Sequence, residues 1–332
     1  MKTKIAIATG DAAGIGPEIS LKAALDPAVR SACEPIVVSD PALIERHAHA
    51  CGMKADLRVV TRVADADWSD QRVNVLDCPQ PQATSIAFGA HDAAGGRAAL
   101  VFAAAAIEAA RAGAVDAVVA APQNERSIAL AGIEFDGHPS FVARETGTDA
   151  NDVYLMLCFQ ETRIVHCTLH LSVKDAIAMI TRERVLRAIR ATDRALKQLG
   201  IAAPNIAIGG LNPHAGEGGL FGREEIDAIK PAMETAAAQG MSVSGPFGAD
   251  TMLRRHGFDA FVVMLHDQGH IPAKLVAPDM TTALTVGTPI LFASVAHGSG
   301  YDIAGRGIAS PNAIIDALLR LSKVKRPTGA LT

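Results

Sequence analysis

The chain has 332 residues and a formal net charge of −4, long for a single hydrophobic core, comfortable for two domains, and without the basic stripe that a nucleic-acid surface needs. Hydrophobic residues make up 49% of it and aromatics only 4%, an Ala- and Gly-rich mixture that suits helices packed closely on sheets rather than a β-sandwich. The N-terminus is too poor in apolar residues for a secretory signal and no run approaches membrane-spanning length, while scattered cysteines without C-x-x-C spacing point to the reducing cytoplasm. A small molecule is the expected partner, with neither nucleic acid nor membrane.

In chain order, short β-branched runs alternate with longer helical ones, the pattern of parallel α/β layers. Strands are predicted at 4–8, 35–38, 72–76, 117–120, 154–158, 163–167, 205–208, 260–265, 283–286 and 290–295. Most are continuous apolar runs, as strands covered on both faces should be. An alanine-rich helix is predicted over 91–112 and another over 124–131. A helix over 181–199 has Thr181 as N-cap and Gly200 just past its end, and Ser310-Pro311 opens the last one. A turn-prone stretch from Gly132 to Gly137 marks a domain change, and the chain after about residue 280 again reads as strand, loop and helix. The predicted division is 1–132 plus 280–332 against 133–279.

Chemistry concentrates in a few places. The stretch Leu265-His266-Asp267-Gln268-Gly269-His270-Ile271-Pro272-Ala273-Lys274 packs imidazoles, a carboxylate and an ammonium directly after a strand, where open α/β sheets keep their ligands. His266 and His270 have the i, i+4 spacing of a zinc-protease pair, but that motif needs a helix, and Gly269 and Pro272 argue against one. His170 and His214 follow other strands, so with His266 three imidazoles stand at three strand ends, a donor set for a divalent ion with an open position. Gly10-Asp11-Ala12-Ala13-Gly14-Ile15-Gly16-Pro17-Glu18 either cradles an anion at a helix N-terminus or is only a tight turn. The small residues of 294–309 allow a flat ligand to lie on backbone, with His297 and Asp302 suited to an adenine and to ribose hydroxyls.

Gly-Asp-x-x-Gly-Ile-Gly-Pro-Glu at 10–18, Asn-Pro-His-Ala-Gly-Glu at 212–217, Gly-Pro-x-x-Ala-Asp-Thr at 245–251, His-Asp-Gln-Gly at 266–269, and His-Gly-Ser with Asp-Ile-Ala-Gly at 297–305 resemble the 4-hydroxythreonine-4-phosphate dehydrogenase family. The resemblance implies a two-domain α/β/α fold of the isopropylmalate/isocitrate dehydrogenase-like type, with the active site in the interdomain cleft. The 1–132 plus 280–332 part would be the cofactor side, and 133–279 the metal, substrate and dimerisation side. It further implies a homodimer whose divalent metal, commonly zinc, is held by His170 and His214 of one subunit and His266 of the other. NAD would lie along Ser294, His297, Gly298, Asp302 and Gly305. The implied reaction is oxidation of a secondary alcohol followed by loss of carbon dioxide from the β-keto acid, with Asp250 and Asp267 as candidates for proton transfer or ligand orientation, and Lys274 for pairing a substrate carboxylate.

The departures from that pattern bear on the substrate. The family's Gly-His-Thr-Glu appears as His138, Pro139 and Ser140; Ala283 and Phe292 stand where phosphate-handling members carry asparagine and arginine. Glu125 replaces a lysine, and Ala296 an aspartate. With His138, Ser140, Lys274 and Phe292 around the substrate, the pattern is similar to the terephthalate cis-dihydrodiol dehydrogenases, which act on an unphosphorylated ring. The rival is a 4-phosphohydroxythreonine or 4-phosphothreonate dehydrogenase.

Overall fold

Runs such as Ile5-Ala6-Ile7-Ala8 and Ile36-Val37-Val38 offer no polar face, so both of their faces must be covered, and a sheet between helix layers is the arrangement that covers them. A computed structural model describes residues 2–69, 71–277 and 281–324. Its strands are β1 (Thr3–Ala8), β2 (Cys33–Ser39), β3 (Leu57–Val60), β4 (Val73–Asp77), β5 (Ala117–Ala120), β6 (Tyr154–Phe159), β7 (Thr162–His166), β8 (Asn205–Gly209), β9 (Ser242–Phe247), β10 (Ala260–Val263), β11 (Thr282–Val286) and β12 (Leu291–Val295). The described residues form two compact units, 2–146 with 289–324 and 147–288. The turn at 132–137 therefore lies inside the first unit, because the helix His138–Thr146 after it buries Phe141 and Val142 in the same core as Phe102 and Ile128.

In the first unit the strand order is β3-β4-β2-β1-β5-β12, all parallel. The order reverses between β1 and β5, and the crevice outside the carboxyl ends of strands at such a reversal is where open α/β sheets bind ligands. The helix Ala93–Arg111 covers this sheet and buries Ala98, Phe102, Ala103, Ala106 and Ile107. Contrary to expectation, this helix is long and apolar enough by composition to cross a membrane. Alanine raises its hydropathy without adding bulk, and over half of that stretch is buried inside the unit.

In the second unit the order is β11-β6-β7-β10-β8-β9. The expectation of parallel strands fails for β6, which pairs antiparallel with both β11 and β7. Only Gln160 and Glu161 separate β6 from β7, and a two-residue link closes a hairpin but cannot make the crossover a parallel pair needs; Gln160 takes the left-handed φ of 47° that such a turn uses. Strands β7, β10, β8 and β9 are parallel. The helix Arg182–Gln198 forms as its pattern predicts, with the Thr181 side chain accepting from Arg184 N and Val185, Ile189 and Leu196 buried. Strands β3 and β9 escaped the sequence pattern. Both are edge strands with mostly half-exposed residues, where apolar runs are not required.

One local expectation is overturned with consequences for the site. The residues His266–Val276 form a helix despite Gly269 and the internal Pro272. Gln268 secures its start: Oε1 accepts from Met264 N at 2.9 Å and Leu265 N at 3.0 Å, and Nε2 donates to Gly210 O at 3.0 Å. Gly269 is required by packing, because a Cβ there would lie 2.3 Å from His166 Nε2. His266 thus opens a helix rather than extending β10.

Candidate active site

Strands β7, β10 and β8 lie side by side and point the same way. His170, His266 and His214 follow their carboxyl ends, so the sheet order brings the three expected imidazoles to one edge of the second unit. The His170 and His266 rings are 5.8 Å apart and face a mainly apolar cleft of about 360 Å³ with Leu169, Leu171, Val173 and Leu265 on its walls. Among the described residues of one chain, no three His, Cys, Asp or Glu side chains converge closely enough to hold a metal ion. The chemistry of the donor set nevertheless fits one, since His266 Nδ1 lies 2.7 Å from Asp267 Oδ1. With Nδ1 donating to that carboxylate, Nε2 keeps its lone pair for a ligand bond. Asp267, 78% exposed at its side chain, therefore orients an imidazole and is poorly placed to act as a buried base.

Beneath His266 lie two histidines that sequence reasoning left without a role. The His270 ring stacks on His266 at 3.8 Å and 10°, and its Nδ1 lies 3.3 Å from His266 O. Parallel stacked rings direct their lone pairs side by side rather than onto one ion, so the zinc-protease arrangement is excluded by geometry although the helix exists. His166 is buried under His270, with ring centroids 4.6 Å apart. Burial, reinforced by His270, pushes the His166 imidazole down to about 3, and burial with His266 nearby takes His270 to about 4. Both are neutral at pH 7.

His214 sits in a conformation no pattern announces. Residues His214 to Gly218 run through five consecutive left-handed φ values of 53°, 53°, 80°, 41° and 69°. Three of these residues are not glycine, and each costs roughly 1–2 kcal/mol in that region, so surrounding structure must hold the turn. The buried Glu225 carboxylate does so: it accepts from Leu211 N at 2.8 Å, Asn212 N at 2.7 Å and Asn212 Nδ2 at 2.9 Å. Glu224 takes the same amide at 2.6 Å. Glu225 opens a π-helical turn, Glu225–Ile229, a feature frequent at functional sites. Asp250 is exposed in the short helix Ala249–Met252, and Lys274 is exposed near the end of its helix.

In the first unit, β12 ends at Val295 and leads into the expected cofactor loop. Ser294 is buried, His297 and Asp302 are exposed, and Gly298 has open space around it. His138 packs between Phe135 and Phe292, ring centroids 5.8 and 5.3 Å away. Its Nε2 is buried without a partner, and burial pushes its imidazole down to about 4. Phe292 itself corrects an expectation. It is 0% exposed, so it backs His138 instead of presenting a wall to the substrate, because its side chain turns from β12 into the core it shares with Phe102 and Phe141. Ser140 is engaged by Asp136, which also takes Arg144 at 3.1 Å. Burial pushes the Cys33 and Cys167 thiols up to about 12 and Cys51 to about 11, so these three stay protonated at pH 7.

Comparison with known proteins identifies the family. The family profile of the pyridoxal phosphate biosynthetic protein PdxA matches residues 31–320. A 1,2-dihydroxy-3,5-cyclohexadiene-1,4-dicarboxylate dehydrogenase of Comamonas sp is 39% identical over 318 residues, covering 96% of this chain and 96% of the relative. A D-threonate 4-phosphate dehydrogenase of Cupriavidus necator is 38% identical over 319 residues, covering 95% of each. Among solved structures, a terephthalate 1,2-cis-dihydrodiol dehydrogenase from Burkholderia xenovorans is 42% identical with a TM-score of 0.76, covering 96% of this chain and 98% of that one. A 4-hydroxythreonine-4-phosphate dehydrogenase from Burkholderia phymatum is 34% identical with a TM-score of 0.88, covering 98% and 100%.

Proposed function

The chain belongs to the PdxA family and is a dehydrogenase acting on a CH–OH group, and from that premise we propose that it oxidises and decarboxylates an unphosphorylated cis-dihydrodiol dicarboxylate with NAD and a divalent metal. The observation that carries the substrate choice is the surroundings of His138. By the family resemblance phosphate-handling members have an arginine at the position of Phe292, which here is buried and packed on a histidine that desolvation keeps neutral. A phosphate dianion at such a site would forgo a bidentate, charge-assisted contact and meet an apolar backing. A carboxylated diene ring has no such requirement. The 42% identity to a terephthalate dihydrodiol dehydrogenase supports the same choice.

In this reading His170 and His214 of one subunit and His266 of the partner subunit hold the metal, with zinc the ion best matched to imidazole donors. When bound, the metal supplies Lewis acidity toward a chelated hydroxyl and carboxylate. Asp267 fixes the His266 tautomer, and Glu225 holds the turn that presents His214. Asp250 is the remaining carboxylate for proton transfer. Lys274 pairs with a substrate carboxylate, His138 and Ser140 position the ring, and Ser294, His297, Gly298, Asp302 and Gly305 carry the dinucleotide. The apolar residues exposed around this edge, among them Val173, Ile271 and Leu275, suit coverage by a second copy of the chain.

The test is NADH formation and carbon dioxide release measured with the cis-dihydrodiol dicarboxylate and with 4-phosphohydroxythreonine under identical metal and NAD conditions. The diol should turn over and the phosphorylated amino acid should be poor. Efficient turnover of the phosphorylated compound with none of the diol overturns the proposal in favour of the vitamin-pathway activity.

A further inference from the structure

The glycine-rich segment 10–18 follows β1 at the strand-order reversal, yet the structure leaves it little freedom to cradle an anion. The N–H of Ile15, at the mouth of the helix Gly16–Leu25, already donates to Ser299 O at 2.8 Å, and a Cβ on Gly14 would lie 2.6 Å from that same carbonyl. The segment packs against protein, and what it packs against is the loop after β12. At the far end of that loop the buried Glu18 accepts from Ala309 N at 2.9 Å and pairs with Lys22 at 2.6 Å. Lys22 in turn donates to Gly307 O at 3.0 Å and Ala309 O at 2.8 Å. Both ends of residues 299–309 are therefore fastened to the first helix and its entry turn.

Between those ends the chain is rich in glycine, and the Tyr301 side chain fastens the middle. The Tyr301 hydroxyl donates to Asp11 Oδ2 at 2.6 Å and lies 2.8 Å from Ser127 Oγ. Asp11 is 0% exposed, and its Oδ1 accepts from Ala13 N at 2.8 Å. Ser127 is buried in the helix Glu125–Leu130, and the His91 ring lies 4.8 Å from the Tyr301 ring. Loops after β1, β5 and β12 thus meet through one tyrosine, immediately before the exposed Asp302.

We propose that the Asp11–Tyr301–Ser127 chain is a positioning latch that presets the dinucleotide loop, holding Asp302 where it meets the hydroxyls of a nucleotide ribose. The inference rests on the cofactor reading above. A free glycine-rich loop must be ordered when the ligand binds, and that entropy is subtracted from affinity; a bond to a buried carboxylate orders it beforehand. Tyr301 acts through Asp302 and the loop backbone, so it is a positioning residue and not a catalytic one. Its loss should weaken ground-state binding of the dinucleotide with little effect on the chemical step.

The experiment compares the full-length wild type with Tyr301→Phe, Asp11→Asn and the double variant, measuring NAD dissociation constants by calorimetry alongside kcat and KM. Tyr301→Phe should raise the NAD dissociation constant and KM about tenfold, equivalent to about 1.4 kcal/mol, and leave kcat within about twofold. The double variant should be no weaker than the worse single one, because both remove the same bond. Hydrogen exchange of residues 299–305 should quicken in Tyr301→Phe. Wild-type NAD affinity in both single variants, or additive losses in the double, overturns the latch. If the wild type binds no NAD, the cofactor reading fails by itself, and unaltered loop exchange in Tyr301→Phe then overturns the latch separately.

Discussion

Replacing Gly269 by alanine sets two physical effects against each other at the centre of the site. Gly269 is the fourth residue of the helix His266–Val276, and in a helix interior the change to alanine ordinarily gains about 1 kcal/mol. Here the new Cβ would stand 2.3 Å from His166 Nε2 and 2.8 Å from Ile164 Cγ2, against the roughly 3.5–4.0 Å that carbon contacts prefer. Neither neighbour can yield. Ile164 is 0% exposed, and the His166 ring is held by its 3.3 Å contact to Leu155 O and by His270. The helix must retreat, and such overpacking costs about 1–3 kcal/mol. With two sealed contacts the upper end applies, so Gly269→Ala should lose about 2 kcal/mol net, lowering the melting temperature by about 4–8 °C at the scaling of a domain this size. Because His266 rides on that helix, divalent-metal affinity should fall about tenfold or more. Calorimetry and a metal titration read both quantities. Adding His166→Ala removes the nearer obstacle and should restore part of each. A melting temperature at or above wild type, with unchanged metal affinity, would refute the packing argument.

Four further outcomes follow from named residues. His47 is buried, with Nε2 2.9 Å from Ala12 O, Nδ1 unpartnered, and its imidazole pushed down by burial from 6.5 to about 4; its neutral form contributes about 3 kcal/mol, fully present above pH 6.5 and lost as pH falls from there to about 4, so a stability curve for His47→Gln running parallel to wild type across that window would contradict it. Glu225→Gln weakens the charged clamp on Leu211 and Asn212 by about 1.5–3 kcal/mol, and a metal titration should show poorer binding through His214; unaltered affinity and melting temperature would remove Glu225 from that role. Chelation should abolish turnover, and mixing His214→Ala with His266→Ala subunits should recover activity from one intact shared site; since His170 has its own chain's His266 as a neighbour, no recovery despite subunit exchange would put the ligands within one chain. NAD should be preferred over NADP because the Asp302 carboxylate repels a 2′-phosphate, and a kinetic preference for NADP would dismiss that assignment.

What this sequence determined by itself is what depends on neighbours along the chain. Continuous apolar runs specify strands covered on both faces, Thr181 and the spacing of Val185, Ile189 and Leu196 specify a helix, the motifs around His214 and His266 announce the family, and the strands before His170, His214 and His266 point all three imidazoles to one edge of the sheet. Tertiary structure decided what depends on residues far apart. The helix at His266 persists because Gln268 reaches Gly210 and because Gly269 admits His166, neither of which spacing reveals. The left-handed turn at His214 exists because Glu225, a residue no sequence pattern singled out, turns its carboxylate onto Leu211 and Asn212. Phe292 is an aromatic in a promising position by pattern and a core residue in fact, since which face of β12 meets the helices is set by packing across the sheet. The glycines of 10–18 look like an anion cradle until the loop carrying Ser299 and Tyr301 is seen to lie against them, nearly three hundred residues away in the chain and in contact with it in space.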